Sequence, residues 1–505
     1  VKHLYPYSNF PLLRICLFFI PGIALGKYYW ENSNLLFITC LSLLGLWFLI
    51  YVLQIRKKYF IPETGLFLLI ISFFLAWQIS SSWHFKLNTC KSQLQGKWIK
   101  TRVLLESFPT RNRKNAWVLK GGIESAQYKG QLIPVSCGIY ITTDTLEQAF
   151  RPGDLLEAEV KLFPVSDTAL GFQSYLYGIG TGFTSRKGFW KKMGVSNSIF
   201  GQALQLSAWF HDQLLLHIQD AQTAGLAVAL VTGDRSGLDK ELSERHRKLG
   251  TTHILSVSGL HVGLICLVLI KLLILLDKLG LQGKRIRVIV VMISLAGYAL
   301  ITGLAPSVCR AVLMTLVSLT GQLFNRKAEG GNVLAFACIL ELSWEPCWLF
   351  YPGFQLSFAA LAGLIWIQPL LLELWEPEHS WLNRFWEMSA TAIAAQWSTL
   401  PFLIPLAIDF PLYFLPANIL IVPIASLLTG AAFALVLLSP LKWIPNILGW
   451  AIHWIALGMD WIASVLNHLP MVSVGLPLHS VSDAWILGVV MYSLVLLLKW
   501  RKREN

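Results

Sequence analysis

His253, Ser256, Ser258 and His261 open a run that is otherwise apolar through Leu276. Polar groups of this kind are costly in hydrocarbon, so they face a bundle interior or a wet cavity. At helical spacing His253, Ser256, Val257, Leu260 and His261 share one broad face, with Ser258 beside His261. Two chemistries suit the set. One is a row of hydrogen-bond donors along a water-filled path. The other is an intramembrane serine hydrolase, which needs a histidine base within reach of the nucleophile and backbone donors for the oxyanion. Ser258 and His261 stand three apart on a helix, and His453 and His468 are further candidate bases. Gly259 and Gly263 form a small-xxx-small spacing that lets a second helix approach closely.

The elements that must position these groups are helices in a bilayer. Hydrophobic residues make up 55% of the 505 residues and charged ones only 14%, and the mean hydropathy is +0.57. Ordinary soluble chains carry about a quarter charged residues. Spanning the hydrocarbon takes about 20 apolar residues in a helix, and only helices or closed barrels satisfy their backbone groups there. The continuous apolar runs point to an α-helical polytopic membrane protein of about 12 membrane segments, some of them re-entrant. Expected spans lie near 11–27, 34–54 and 62–80, then 251–276, 288–303, 306–323, 332–350, 353–373, 386–407, 411–438, 447–468 and 484–499. Glu341, Glu345 and Pro346 interrupt the 332–350 segment. The first apolar stretch leads straight to a second, which reads as a retained helix rather than a cleaved signal.

Lys and Arg in short loops set orientation. Arg56, Lys57, Lys58, Lys278, Lys284, Arg285, Arg287, Arg326, Lys327, Lys442 and the terminal Arg501, Lys502 and Arg503 all fall on one side of this count. That side is the cytoplasm, with both termini in it and the 84–200 region outside. The division is 1–83 as N-terminal helices, 84–200 as an external domain, 201–250 as a connector and 251–505 as the membrane core.

Within 84–200, Trp98–Phe108, Ala116–Ile123, Leu132–Thr142 and Leu155–Phe163 read as strands, separated by Gly121-Gly122, Pro134 and Pro152-Gly153-Asp154. Several short strands suit a small closed barrel of OB type, or a sandwich. The region holds 16 Lys and Arg against 8 Asp and Glu. Such an excess forms either a solvated basic surface or an electrostatic footprint for a polyanion. Trp98, Trp117, Tyr128 and Tyr140 offer stacking faces, or core. Cys90 and Cys137 are the cysteines of this region, and an oxidising exterior would allow a disulfide between them. In the connector, Leu204–Ile218 is amphipathic, suited to the membrane surface or to packing on the barrel, and Ala221–Thr232 is too short to cross.

Several site types are missing from the sequence. It has neither a paired CxxC nor zinc-like Cys/His spacing. His-Glu-x-x-His does not occur, and Gly283-Lys284-Arg285 fails as a phosphate loop after the lysine. No cofactor and no metal site is expected.

The pattern His253-x-x-x-x-Ser258-Gly259-Leu260-His261 resembles the signature of the ComEC competence family. Gly233-Asp234-Arg235 before it and Thr302-Gly303-x-Ala305-Pro306-Ser307-x-x-Arg310-Ala311 after it are similar to further blocks of that family. So are Asn332, Gly353-Phe354-Gln355-Leu356-Ser357-Phe358 and Pro416-Ala417-Asn418. The likeness covers nearly the whole chain, in the form without the metal-dependent hydrolase domain of metallo-β-lactamase type, since no His-x-His-x-Asp-His run occurs. It implies passage of single-stranded DNA across the bacterial inner membrane in natural transformation. It also implies an external DNA receptor, a cytoplasmic helicase or translocase and a separate nuclease as partners, with no enzymatic role for the chain itself. Under this resemblance Arg310 is the candidate phosphate contact. Asp234 and Arg235 lie at the entry, and His253, Ser256, Ser258, His261, Gln355 and Asn418 line the path. Gly259, Gly263, Gly303 and Pro306 serve helix packing. A transporter of a small anionic solute or lipid is the reading composition alone would give, although inverted repeats that would favour it are not visible.

Overall fold

The computed structural model describes residues 11–29, 42 and 64–475, without 113–114, 129, 134, 136, 147–148, 167–171, 187, 327 and 407–408; beyond these it describes 482–483, 486–488, 490–491 and 493–494. The expected span 34–54, Arg56, Lys57, Lys58, Lys327 and the terminal Arg501, Lys502 and Arg503 lie outside the described residues, and the 484–499 span does so in part.

Helix α1 (Pro11–Tyr28) packs along α2 (Thr64–Leu94). Glycine makes that approach possible: a Cβ on Gly22 would strike the Phe73 carbonyl, and one on Gly26 would strike Ser80. The Ser80 hydroxyl donates to the Ile23 carbonyl at 2.8 Å. At 31 residues α2 is longer than the hydrocarbon requires. Its last turns leave the bundle, and Leu94 enters the core of the β domain.

That domain comprises β1 (Trp98–Leu105), β2 (Thr110–Arg111), β3 (Trp117–Tyr128), β4 (Gln131–Ile133), β5 (Cys137–Thr143), β6 (Asp154–Lys161), β7 (Phe163–Pro164), α3 (Phe172–Gly178), β8 (Thr181–Ser185) and β9 (Gly188–Val195). The strand order is β7-β8-β5-β3-β1-β6-β9, antiparallel except between β5 and β8. Alternate residues point inward, so Ile99, Val103, Leu119, Ile123, Ile139, Ile141, Leu156 and Val160 form one apolar core. Each of the four stretches expected as strands contains strand, but Leu132–Thr142 is divided between β4 and β5, and Leu155–Phe163 runs from β6 into β7. The closed OB-type barrel is not observed: among the described residues β7 and β9 do not pair, and the sheet is open. One terminal strand, β7, is two residues long and ends in a proline, which has no N–H to give a ladder.

The connector contains α4 (Ile199–His217), α5 (Ala221–Thr232) and α6 (Lys240–Lys248). Helix α5 is buried over ten residues, Thr223 to Thr232, and Gly225 touches the Gly237 carbonyl, where any side chain would collide. The core follows as α7 (Gly259–Leu272), α8 (Gly280–Ile301), α9 (Pro306–Leu323), α10 (Gly330–Trp344), α11 (Pro352–Trp366), α12 (Gln368–Leu372), α13 (Ser380–Leu403), α14 (Phe414–Leu438) and α15 (Ile444–Asn467). A short ribbon of β10 (Phe410–Pro411) and β11 (Ser473–Val474) ties the start of α14 to the end of α15. The interrupted segment near 332–350 is α10 followed, after Glu345, by a tight turn over Pro346–Phe350. Among the described residues five stretches are long and apolar enough to cross a membrane: Pro11–Tyr28, Leu68–Leu94, Gly259–Ile301, Phe414–Leu438 and Ile444–Asn467. The apolar α5, α10 and α11 are shorter.

Helix α4 does not lie free along a surface. The Arg151 guanidinium bonds Asp212 at 2.8 Å, and Phe108 stacks on His211 with centroids 4.1 Å apart. At its last residue His217 meets Asn446 of α15 at 2.9 Å. The helix is a strut between β domain and core.

Candidate functional site

Helix α7 begins at a Ser–His contact. The backbone N–H and the hydroxyl of Ser258 both reach His261 Nδ1, at 3.1 and 3.0 Å. Nδ1 is therefore an acceptor already filled by a backbone donor, and the pair caps the helix. His261 is buried, whereas His253 is exposed in the tight turn Thr252–Leu255. The single face expected for His253 and His261 is divided, because the chain is extended at Ser256 and Ser258 and only then turns helical. Ser256 donates to the His253 carbonyl at 3.2 Å.

The next block docks on this start. Ser307, in the first turn of α9, donates to the Val257 carbonyl at 3.0 Å. A Cβ at Gly259 would sit 3.7 Å from Ala311, an ordinary packing distance. Gly263 faces open space, so the small-xxx-small spacing brings a helix close only at Gly259. Gly303, with φ +69°, packs on nothing within 4 Å either; it supplies left-handed backbone to the α8–α9 turn. Pro306 starts α9, where its missing N–H leaves no bond unmade.

One turn into α9, Arg310 is 1% exposed, the largest fully buried side chain among the described residues. Its Nη1 lies 3.7 Å from Glu341 of α10, itself 2% exposed. The guanidinium stacks over Phe358 at 4.5 Å and Phe354 at 5.7 Å, both on α11. Both terminal nitrogens of Arg310 and both Glu341 oxygens lack hydrogen-bond partners. In the sequence Glu341 reads as an interruption of a span; in the fold it is the counter-ion of Arg310. The signal was available, since a carboxylate amid apolar helix asks for a partner.

The remaining expected residues are stitched into the scaffold. Asp234 accepts from the N–H and hydroxyl of Ser236 at 2.9 and 2.8 Å, folding the loop after α5. Arg235, exposed in that loop, lies within electrostatic reach of Tyr351, as Arg310 does. Gln355 donates to the Leu349 carbonyl at 2.8 Å. Asn418 donates to the Phe414 carbonyl at 2.7 Å within its own helix. Asn332 accepts from the Leu12 N–H at 3.1 Å, satisfying a donor at the start of α1. Cys90 and Cys137 pack against the same β-domain core. Burial, with Cys90 close by, pushes the Cys137 thiol up to about 12. Among the described residues there is no group of three or more His, Cys, Asp or Glu placed to hold a metal ion.

A second polar row was not anticipated. Asn446, His453, Asp460 and Asn467 recur every seven residues on α15. Asn446 meets His217. His453 lies 3.2 Å from Thr223 Oγ1 and 4.0 Å from Asp220. Asp460 pairs with Arg245 at 3.0 Å, and Asn467 donates to the Arg245 carbonyl at 3.2 Å.

Comparison with known proteins gives one family model, described as Competence protein, matching residues 230–503. ComE operon protein 3 of Bacillus subtilis (strain 168) is 30% identical over 254 residues, 50% of this chain and 31% of that protein. YcaI of Escherichia coli (strain K12) is 25% identical over 260 residues, 50% of this chain and 33% of that protein. Competence protein ComA of Neisseria gonorrhoeae is 32% identical over 154 residues, 28% and 21% of the two. The chain thus matches a third or less of the length of these relatives. No solved structure matches.

Proposed function

Because this chain belongs to the competence protein family, we propose that it forms the inner-membrane passage for single-stranded DNA in natural transformation. The observation that carries this reading is the Arg310–Glu341 pair inside the matched region, a fixed positive charge held deep in apolar helices. A phosphate chain crossing hydrocarbon needs such a charge, and an arginine fork meets phosphate through two parallel bonds. Without a strand, Glu341 neutralises the guanidinium and the path is closed. With one, the terminal nitrogens that lack hydrogen-bond partners turn to a phosphate. The basic β domain gathers the strand outside, an external receptor delivers it, and a cytoplasmic helicase or translocase draws it in. Degradation of the other strand falls to a separate nuclease.

The test is uptake of labelled DNA into a protected pool in a deletion strain. The strain carries the wild-type chain or the double variant Arg310→Met with Glu341→Leu. Replacing both charges by apolar groups of similar volume leaves a buried pair's stability unchanged or raised, so the variant should insert. The wild type should restore uptake, and the variant should lose it by about tenfold or more, as when one charged hydrogen bond is removed. Normal uptake with the variant would make the pair purely structural. If the wild type restores nothing, transport of a small anionic solute becomes the reading to pursue.

A further inference from the structure

Four aromatic rings run without a break from the β domain to the membrane core. Tyr140 on β5 touches Phe172 with centroids 5.2 Å apart. Phe172 lies near-parallel to Tyr175 at 6.2 Å, and Tyr175 lies 5.9 Å from Tyr351. Phe172 is 54% exposed and Tyr175 37%, so both rings are accessible from solvent. Cations flank the row at both ends. Lys120 is the cross-strand neighbour of Tyr140, so both point to one face of the sheet, and its Nζ is 6.0 Å from the Tyr175 ring. At the other end Arg235 and Arg310 both lie within electrostatic reach of Tyr351.

We propose that Tyr140, Phe172, Tyr175 and Tyr351, with Lys120 and Arg235, form the track by which single-stranded DNA passes from the external domain to the Arg310–Glu341 pair. This rests on the DNA reading above and names the route. Rings with cations beside them suit a sequence-independent strand, because every base has a face to stack and every nucleotide a phosphate to neutralise. The steps between rings exceed the rise of about 3.4 Å between stacked bases in duplex. Bases reading this row are therefore drawn apart, which a single strand permits and a duplex does not. The row ends where the buried arginine begins, so a strand leaving Tyr351 meets the closed pair next.

The experiment measures binding of a fluorescent oligo(dT) and of an abasic strand of equal length to the full chain in detergent. Stacking is worth about 1–3 kcal/mol per base. Phe172→Ala and Tyr175→Ala should therefore each weaken oligo(dT) binding by about 5- to 150-fold. Binding of the abasic strand should stay unchanged, which also shows that the variants are folded. Tyr175→Phe keeps the ring and should bind as the wild type does. Lys120→Gln should weaken both strands and lower the salt dependence by about one phosphate. Ring variants that bind oligo(dT) normally, or lose both strands equally, overturn the track. So does an effect confined to vesicles of anionic lipid, which would make this a headgroup site. If wild-type chain restores uptake while the ring variants bind normally, only the track falls. If it neither binds oligo(dT) nor restores uptake, the DNA reading falls with it.

Discussion

Taking a guanidinium and a carboxylate out of water costs several kcal/mol per ion, and attraction returns that only when hydrogen bonds complete the geometry. Arg310 and Glu341 have the attraction and the faces of Phe354 and Phe358, but not the hydrogen bonds. A pair built only for stability would have gained from completing them, and their absence fits a pair that exchanges partners with a phosphate. His246 shows the opposite case, a polar residue whose arrangement is explained by being neutral. Thr251 donates to the His246 carbonyl, and the ring's Nδ1 lies 2.8 Å from the Thr251 hydroxyl oxygen. An Nδ1–H donating there leaves Nε2 a bare acceptor, and Nε2 has no partner. Burial, with Arg245 next to it, holds the imidazole down to about 4, against an ordinary 6.5. Below the ordinary value the unfolded chain takes up a proton that the folded chain refuses. Stability is therefore intact above pH 6.5 and lost as pH falls towards 4. The loss reaches at most about 3 kcal/mol. Thermal unfolding in detergent across that window should show the drop in wild type and a flatter profile in His246→Asn. Equal profiles would mean another group is responsible.

At the scale of elements, α15 is held by its polar row and by one missing side chain. A Cβ on Gly449 would collide with the His217 carbonyl, whereas Gly458 on the same helix has nothing within 4 Å. Gly449→Val should lower the melting point by the equivalent of about 1–3 kcal/mol, the usual effect of overpacking. Gly458→Val should leave it almost unchanged; equal losses would show that helix propensity, not the approach of α4, decides. The same helix shows what a sequence yields. Its apolarity marked 447–468 as a span because hydrocarbon length is a local requirement. The recurrence of Asn446, His453, Asp460 and Asn467 was equally local and could have been read as one face. Their partners could not, since His217, Thr223 and Arg245 lie more than two hundred positions away. The β domain divides likewise. β-branched and aromatic residues announced β1, β3, β5 and β6, but closure depends on which edges meet, and no strand's composition records that. Ser258 and His261 were legible as neighbours three apart. That they cap α7, with His253 on a separate turn, follows from a backbone break invisible in residue types.

Across the whole molecule, α1 works as a ruler. Its first turn meets Asn332, a few residues past Arg326 at the α9–α10 turn. Its last turn carries Lys27, whose Nζ lies 4.8 Å over Tyr177 of the β domain and 4.5 Å over Phe350. Eighteen residues of helix cover about 27 Å, close to the hydrocarbon thickness of about 30 Å. The β domain and Arg326 thus stand at opposite ends of the bundle. Because α8 and α9 form a hairpin turning at Gly303, the start of α8 with Lys284, Arg285 and Arg287 lies at the Arg326 end. Basic turns belong in the cytoplasm, and on that rule we propose that the β domain lies outside although it is itself basic; domains of its size cross regardless of charge. A cysteine at Lys191, on β9, should react with a membrane-impermeant maleimide on intact cells. One at Lys284 should react only after permeabilisation, each site being located by peptide mapping. Reaction of both from the same side would break the link between the α1 ruler and the membrane. The reverse pattern would keep the ruler but place the basic domain in the cytoplasm, where it would receive a strand that had already crossed.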